Sequence, residues 1–233
     1  MDSGFGPKII FELPGGILIT ETVTTTWIIM GVLILFAFIA TRKFEKLPKG
    51  LQNVVELIVD LIYGLTGQTM GEDKKKTFAP YMGTLMIFLI FANLAGLFGF
   101  RPPTADVNTT VALALITFFM IHFFGMKRKG VGKYLKGFLE PLFVMLPINV
   151  IGELATPISL SFRLFGNMVG GLIIMNLLYG ALGSLSAKLG IGIPIFMAAI
   201  PAPLHIYFDV FAGVLQSFIF TMLTMVFVSL AMD

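Results

Sequence analysis

The sequence has no cysteine, only two histidines, and just 12% charged residues among its 233 positions. Soluble domains carry about 25% charge. Without cysteine there is no disulfide and no thiolate metal site. With two histidines and no His/Glu cluster, neither a metal nor a cofactor is expected. Nothing resembles a phosphate-cradling Gly-rich loop, so no nucleotide chemistry is expected on this chain. No internal repeat is visible, which argues against the inverted-repeat transporters. The start, MDSGFGPKII, lacks the basic region and small-residue cleavage site of a signal peptide, so the first span is expected to be retained.

What is there is apolar: 57% hydrophobic residues and 25 glycines, with mean hydropathy +0.93. Long uncharged runs and abundant glycine predict an all-α polytopic membrane protein, one membrane domain over 1–233. An N-terminal segment, 1–50, holds a span with its core at Trp27–Ala40. In 51–62, Gln52, Glu56 and Asp60 recur at i, i+4 and i+8. That pattern predicts an amphipathic surface helix, followed by a basic loop to 76. Two further spans form a hairpin over 80–125, at Pro80–Phe100 and Val111–Gly125, joined by RPPTADVNTT. From 138 to 233 the chain is apolar, broken mainly at GSLSAKLG. Neither resulting arm is divided by a polar turn, so two long tilted helices are expected, kinked by Pro141, Pro147 and Pro157. The total is about five membrane helices.

Of 16 Lys and Arg residues, 12 fall in two loops, 41–76 and 126–137. Cytoplasmic loops attract such residues. The bias predicts the N-terminus outside, the C-terminus inside and the amphipathic helix on the cytoplasmic surface. These basic loops read as topology signals, and no nucleic-acid partner is expected.

Arg163 is the one charge between Leu154 and Ala187. At the bilayer centre it costs about 2.5–3.5 kcal/mol on insertion scales. On a helix, Ser159, Arg163, Asn167 and Gly170 share a face with Gly166 beside them; Leu160, Leu164 and Met168 lie opposite. The second arm carries His205, Asp209, Gly213, Gln216, Ser217, Thr221 and Thr224 on one side. With Asp106 and Asn108 in the outer turn, these suggest an aqueous or proton-conducting path. Blander readings stand beside it. Arg163 could be locked to Asp209 or Glu153, a pair worth about 4 kcal/mol at ~4 Å and an effective dielectric near 20. His205 could be a packing residue, and Asp106 a turn residue. A standalone ion channel, a secondary transporter or a structural anchor are the rival functions.

SLSFRLFGNMVGG resembles the signature of subunit a of the F-type ATP synthase membrane motor. PTADVNTT, PINVIGELATPISLSFRLFGN and LQSFIFTMLTMVFVSLA resemble other segments of that family, from about Leu51 to the end. The resemblance implies a tilted helix hairpin (138–233) against a ring of c subunits, with b subunits of the peripheral stalk, the rest of the complex and membrane lipid as further partners. It implies a non-catalytic, ion-translocating stator subunit in the bacterial cell (inner) membrane, with two half-channels coupling H+ or Na+ flow to ring rotation. By position Arg163 matches the family's essential arginine, Asn167 the asparagine one turn on, and Gln216 the glutamine of the last helix. Asp106 and Asn108 match polar residues of the inlet. Ser159, His205 and Glu153 are further candidates for half-channel lining. Where many relatives have Glu nine residues after the arginine, this chain has Leu172; the position seven before the glutamine holds Asp209. Asp209 is therefore expected to take over the acid's place.

Overall fold

The computed structural model describes residues 6–14, 16–42, 45, 49–139, 143–188 and 200–233. Strands β1 (Ile9–Leu13) and β2 (Ile17–Thr20) pair antiparallel, Ile9 opposite Thr20 and Leu13 opposite Ile17. Sequence reading placed only a span, with its core at Trp27–Ala40, in this segment and missed the hairpin. Its signals are Pro14, then Gly16 at φ +79°, between β-branched residues. Helix α1 (Glu21–Thr41) follows directly and leaves Val32, Leu35 and Phe38 exposed, as a lipid-facing span requires.

Helix α2 (Leu51–Met70) runs eight residues past the expected end at 62. It exposes Leu51, Val54, Leu57 and Leu61. Gln52 instead turns inward, holding the Glu45 backbone at both N–H and C=O, at 3.0 and 2.9 Å. The segment read as a basic loop is already helical, since α3 (Glu72–Leu94) starts with Glu72 and Asp73 near its N-terminal dipole. A 3₁₀ turn (Ala95–Phe98) prolongs α3, and a second (Pro103–Ala105) leads into α4 (Val107–Lys129). Thr109 and Thr110 thus belong to the third span. Lys127, Arg128 and Lys129 end α4 favourably for its dipole. Short α5 (Val131–Gly137) and a 3₁₀ turn (Phe143–Met145) precede α6 (Leu146–Lys188).

Helix α6 is continuous over 43 residues, roughly 64 Å at 1.5 Å per residue. A hydrocarbon core is about 30 Å thick. Pro157 lies inside α6, and Pro147 sits at its start, where a missing N–H is harmless. Pro141 lies outside the described residues. The second arm is α7 (Pro201–His205), a π-helical segment (Ile206–Ala212) and α8 (Gly213–Met232). Among the described residues five helices are long and apolar enough to cross a membrane.

Helix α8 packs against α3 and α4, and α6 packs chiefly against α4. The core at mid-bundle is Leu85, Leu89, Ala114, Leu160, Leu164 and Phe220. Where α3 begins, Lys74 donates to Asp233 at 2.5 Å and to Ser229 at 3.3 Å, tying down the end of α8. That hydrogen bond, with the Lys74, Lys129 and Arg128 charges, holds the Asp233 carboxyl below its ordinary range against partial desolvation.

Candidate functional site

The 100° step of α6 sorts its residues as the spacing predicts. Leu160, Leu164 and Met168 are 2%, 0% and 6% exposed, sunk into the core. Ser159, Arg163 and Gly166 are exposed, and Asn167 and Gly170 are half-buried on the same outward side. Among the described residues Arg163 has neither a hydrogen-bond nor an ion-pair partner. The pair with Asp209 or Glu153, one of the blander readings, is not formed. Glu153 lies half-buried ten residues earlier. Its charge adds to burial in pushing the Tyr134 phenol up, burial being the larger cause.

Asp209 lies in the π-helical segment, whose wider turn changes which residues face together. His205 Nδ1 is 2.6 Å from Asp209 Oδ2, and His205 Nε2 is 3.0 Å from the Tyr179 hydroxyl of α6. The Asp209 carboxyl also lies against the 3₁₀ extension of α3: a β-carbon on Gly96 would stand 3.7 Å from its Cγ and 3.8 Å from Oδ1. The two arms meet again where Gly171 sits beside the Phe208 side chain.

The rest of the expected stripe on the second arm turns inward. Ser217, Thr221 and Thr224 are buried and bond back to the carbonyls of Gly213, Ser217 and Phe220. Across the bundle Thr224 meets Thr117 at 3.2 Å. Asn93 of α3 donates to the Gly213 carbonyl and to Ser217 Oγ, both at 2.9 Å, while accepting from Thr104 at 2.6 Å. These hydroxyls therefore join helices, because in lipid each must find a protein partner. Gln216 differs: it is 8% exposed, and among the described residues its Nε2 has no partner.

Asp106 is 7% exposed and caps α4, accepting from the Asn108 N–H at 3.0 Å and from the Thr22 hydroxyl at 2.7 Å. In this chain it fastens α4 to α1. The Asn108 side chain is exposed. Sequence reasoning missed Asn93, Tyr179 and a pair between His122 and Tyr134 at 2.7 Å. Only a polar residue inside an apolar run signals such sites. No group of three or more metal-ligating side chains occurs among the described residues.

A family model described as ATP synthase A chain matches residues 23–229. The chain is 38% identical to "ATP synthase subunit a, sodium ion specific" of Propionigenium modestum, over 96% of this chain and 84% of that one. It is 36% identical to ATP synthase subunit a of Moorella thermoacetica, over 96% of this chain and 95% of the relative. With ATP synthase subunit a 2 of a Bradyrhizobium strain, BTAi1, it shares 38% identity over 96% and 93% of the two chains.

Proposed function

The chain belongs to the ATP synthase A chain family, and from that membership we propose that it is the ion-translocating stator subunit of an F-type ATP synthase, coupling H+ or Na+ flow to rotation of a c-ring. The observation that carries this is Arg163, a cation on the outward face of α6 without a counter-charge from its own chain among the described residues. The opposite face is committed to the core. A guanidinium so placed in a membrane calls for an anion on another subunit. A carboxylate on each passing c subunit meets that need.

In this mechanism a c-subunit carboxylate crosses lipid neutral, with its ion bound. Facing Arg163 it is stabilised in the ionised form and releases the ion to one side. Asn167 and Ser159 line the same face, and the unpartnered Gln216 amide is free to take an acceptor during passage. Asp209 and His205 serve the outer half-channel, and Glu153 the inner one; the charge bias of the loops supports that orientation. Asp106 and Asn108 flank the outer inlet, Asp106 in a supporting role. Arginine suits the gate because it stays protonated, whereas a buried lysine readily loses its charge. Each ion brings about 2.3 kcal/mol per 100 mV, so a ring must sum several for one ATP. The chain itself is non-catalytic; b subunits hold it against the ring. One relative is named sodium ion specific and two are not, at nearly equal identity, so the likeness favours neither ion.

ATP-driven proton and sodium uptake in inverted membrane vesicles tests the reading, comparing wild type with Arg163→Ala after blotting for assembly. We expect an assembled complex that pumps neither ion. Normal pumping by the assembled variant overturns the assigned role.

A further inference from the structure

The bend from α1 into α2 walls a cavity of about 500 Å³, whose lining includes Ile39, Arg42, Glu45, Lys49, Leu51 and Gln52. Small-molecule sites run from about 300 to 1,000 Å³. One wall is fixed by Gln52, itself 8% exposed. It accepts from the Glu45 N–H at 3.0 Å and donates to the Glu45 carbonyl at 2.9 Å and to Glu56 Oε1 at 2.7 Å. The charged groups are not fixed in this way. Arg42, Glu45 and Lys49 are exposed, and among the described residues their side chains have neither a hydrogen-bond nor an ion-pair partner. Two cations and one acid thus line one cavity without pairing. Solvated surface charges would look the same but for the apolar part of the lining. Ile39 shares one side of α1 with exposed Val32 and Leu35, and Leu51 one side of α2 with exposed Val54 and Ile58. Two apolar stripes therefore run from a cationic cavity, one along each helix.

We propose that the α1–α2 bend binds the headgroup of an acidic phospholipid, with Arg42 and Lys49 on its phosphodiester and its acyl chains along the two apolar stripes. A free phosphate would use the cations alone; a lipid uses the cations and both stripes. The guanidinium offers a fork of N–H donors that matches two phosphate oxygens, and the ammonium adds a point charge. A zwitterionic lipid carries its own ammonium group, which Arg42 and Lys49 repel, so the net negative lipid is selected. Glu45 works in the opposite sense, since its carboxylate repels the phosphodiester and limits how tightly the site holds it. Basic pockets on the side of a membrane protein where Lys and Arg collect bind such headgroups, and this bend lies in the 41–76 basic loop. The site goes beyond the stator reading and does not depend on it.

Photolabelling of the intact complex tests this. The complex is reconstituted in phosphatidylcholine vesicles with a trace of phosphatidylglycerol that carries a diazirine in its acyl chain close to the glycerol. Adducts on the α1–α2 bend are quantified by peptide mass spectrometry, and those on the exposed Phe119 side of α4 serve as a reference for lipid that merely surrounds the protein. The acidic probe is expected to label the bend severalfold more than a phosphatidylcholine probe of the same design. Arg42→Gln with Lys49→Gln should cut that labelling at least about fivefold and leave the α4 reference unchanged. Equal labelling by the two probes, or acidic labelling that survives the double variant, overturns the site. Inorganic phosphate added during illumination separates the sources of the anion: labelling that persists supports a lipid, and labelling that phosphate abolishes assigns the cavity to a soluble anion and ends the proposal. Should the double variant fail to assemble, Glu45→Gln decides. It removes the repelling charge, so a rise in acidic labelling supports the site, and no change or a fall ends it. None of these outcomes bears on the stator reading, which fails separately, through normal pumping by Arg163→Ala.

Discussion

Asn93 shows what a single side chain does in this bundle. It is 1% exposed and fully engaged, by Thr104, the Gly213 carbonyl and Ser217. Interhelical bonds in membranes average only about 0.6 kcal/mol each, but these three share one residue, and its removal strands their partners. Asn93→Leu should cost roughly 2 kcal/mol, read as a lower thermal unfolding midpoint in detergent. An unchanged midpoint would mean that packing, not the amide, joins α3 to α8. Residues differ sharply in how far the sequence discloses them. Arg163 is legible because it is alone: an isolated charge in an apolar run has few readings. His205 and Asp209 are legible as a pair four residues apart. Tyr179 is not, since it lies 26 residues earlier on another helix and only the chain reversal brings it to His205. Asn93 sits near the end of a span, where an amide resembles a boundary, so its partners had to be seen.

Helices in this molecule divide their glycines between two uses. At Gly213 a β-carbon would stand 3.1 Å from Asn93 Cβ and 3.6 Å from Met168 Cε, so this glycine sets how closely α8 approaches α3 and α6. At Gly166, exposed on the outward face of α6, a β-carbon would meet nothing within 4 Å among the described residues. Leucine at each position should therefore fail differently. Gly213→Leu should destabilise the chain itself, lowering its level in the membrane even without the ring. Gly166→Leu should leave the chain folded and present but weaken its copurification with c subunits, because small residues there let another backbone come near. Equal loss of the chain in both variants would refute the division. The hydrophobic runs disclose the helices well, because spanning demands about 20 apolar residues. They disclose the ends poorly. The Glu72–Lys76 charges belong to α3, and Thr109 and Thr110 to α4, because polar residues are as welcome in a first helical turn as in a loop. Nor does composition tell a short strand such as Ile17–Thr20 from the start of a span.

At the scale of the whole molecule, orientation decides what each half of the bundle can do. The Lys127–Lys129 end of α4, the Lys74–Asp233 tie and Glu153 belong to the basic loops or their neighbourhood; Tyr179 and His205 belong to the opposite end of the arms. With 12 of 16 cations in loops 41–76 and 126–137, the first group should lie in the cytoplasm. Arg163 lies between Glu153, ten residues earlier along α6, and Tyr179, 16 residues later. At 1.5 Å per residue those intervals are roughly 15 and 24 Å, the separation that the proposed two half-channels require. Because the chain has no cysteine, a single introduced thiol reports its side cleanly. Lys129→Cys should react with a membrane-impermeant maleimide in inverted vesicles and not in intact right-side-out ones, and Gly6→Cys should do the reverse. The opposite pattern would invert the protein and move the Tyr179–His205–Asp209 series to the cytoplasmic side.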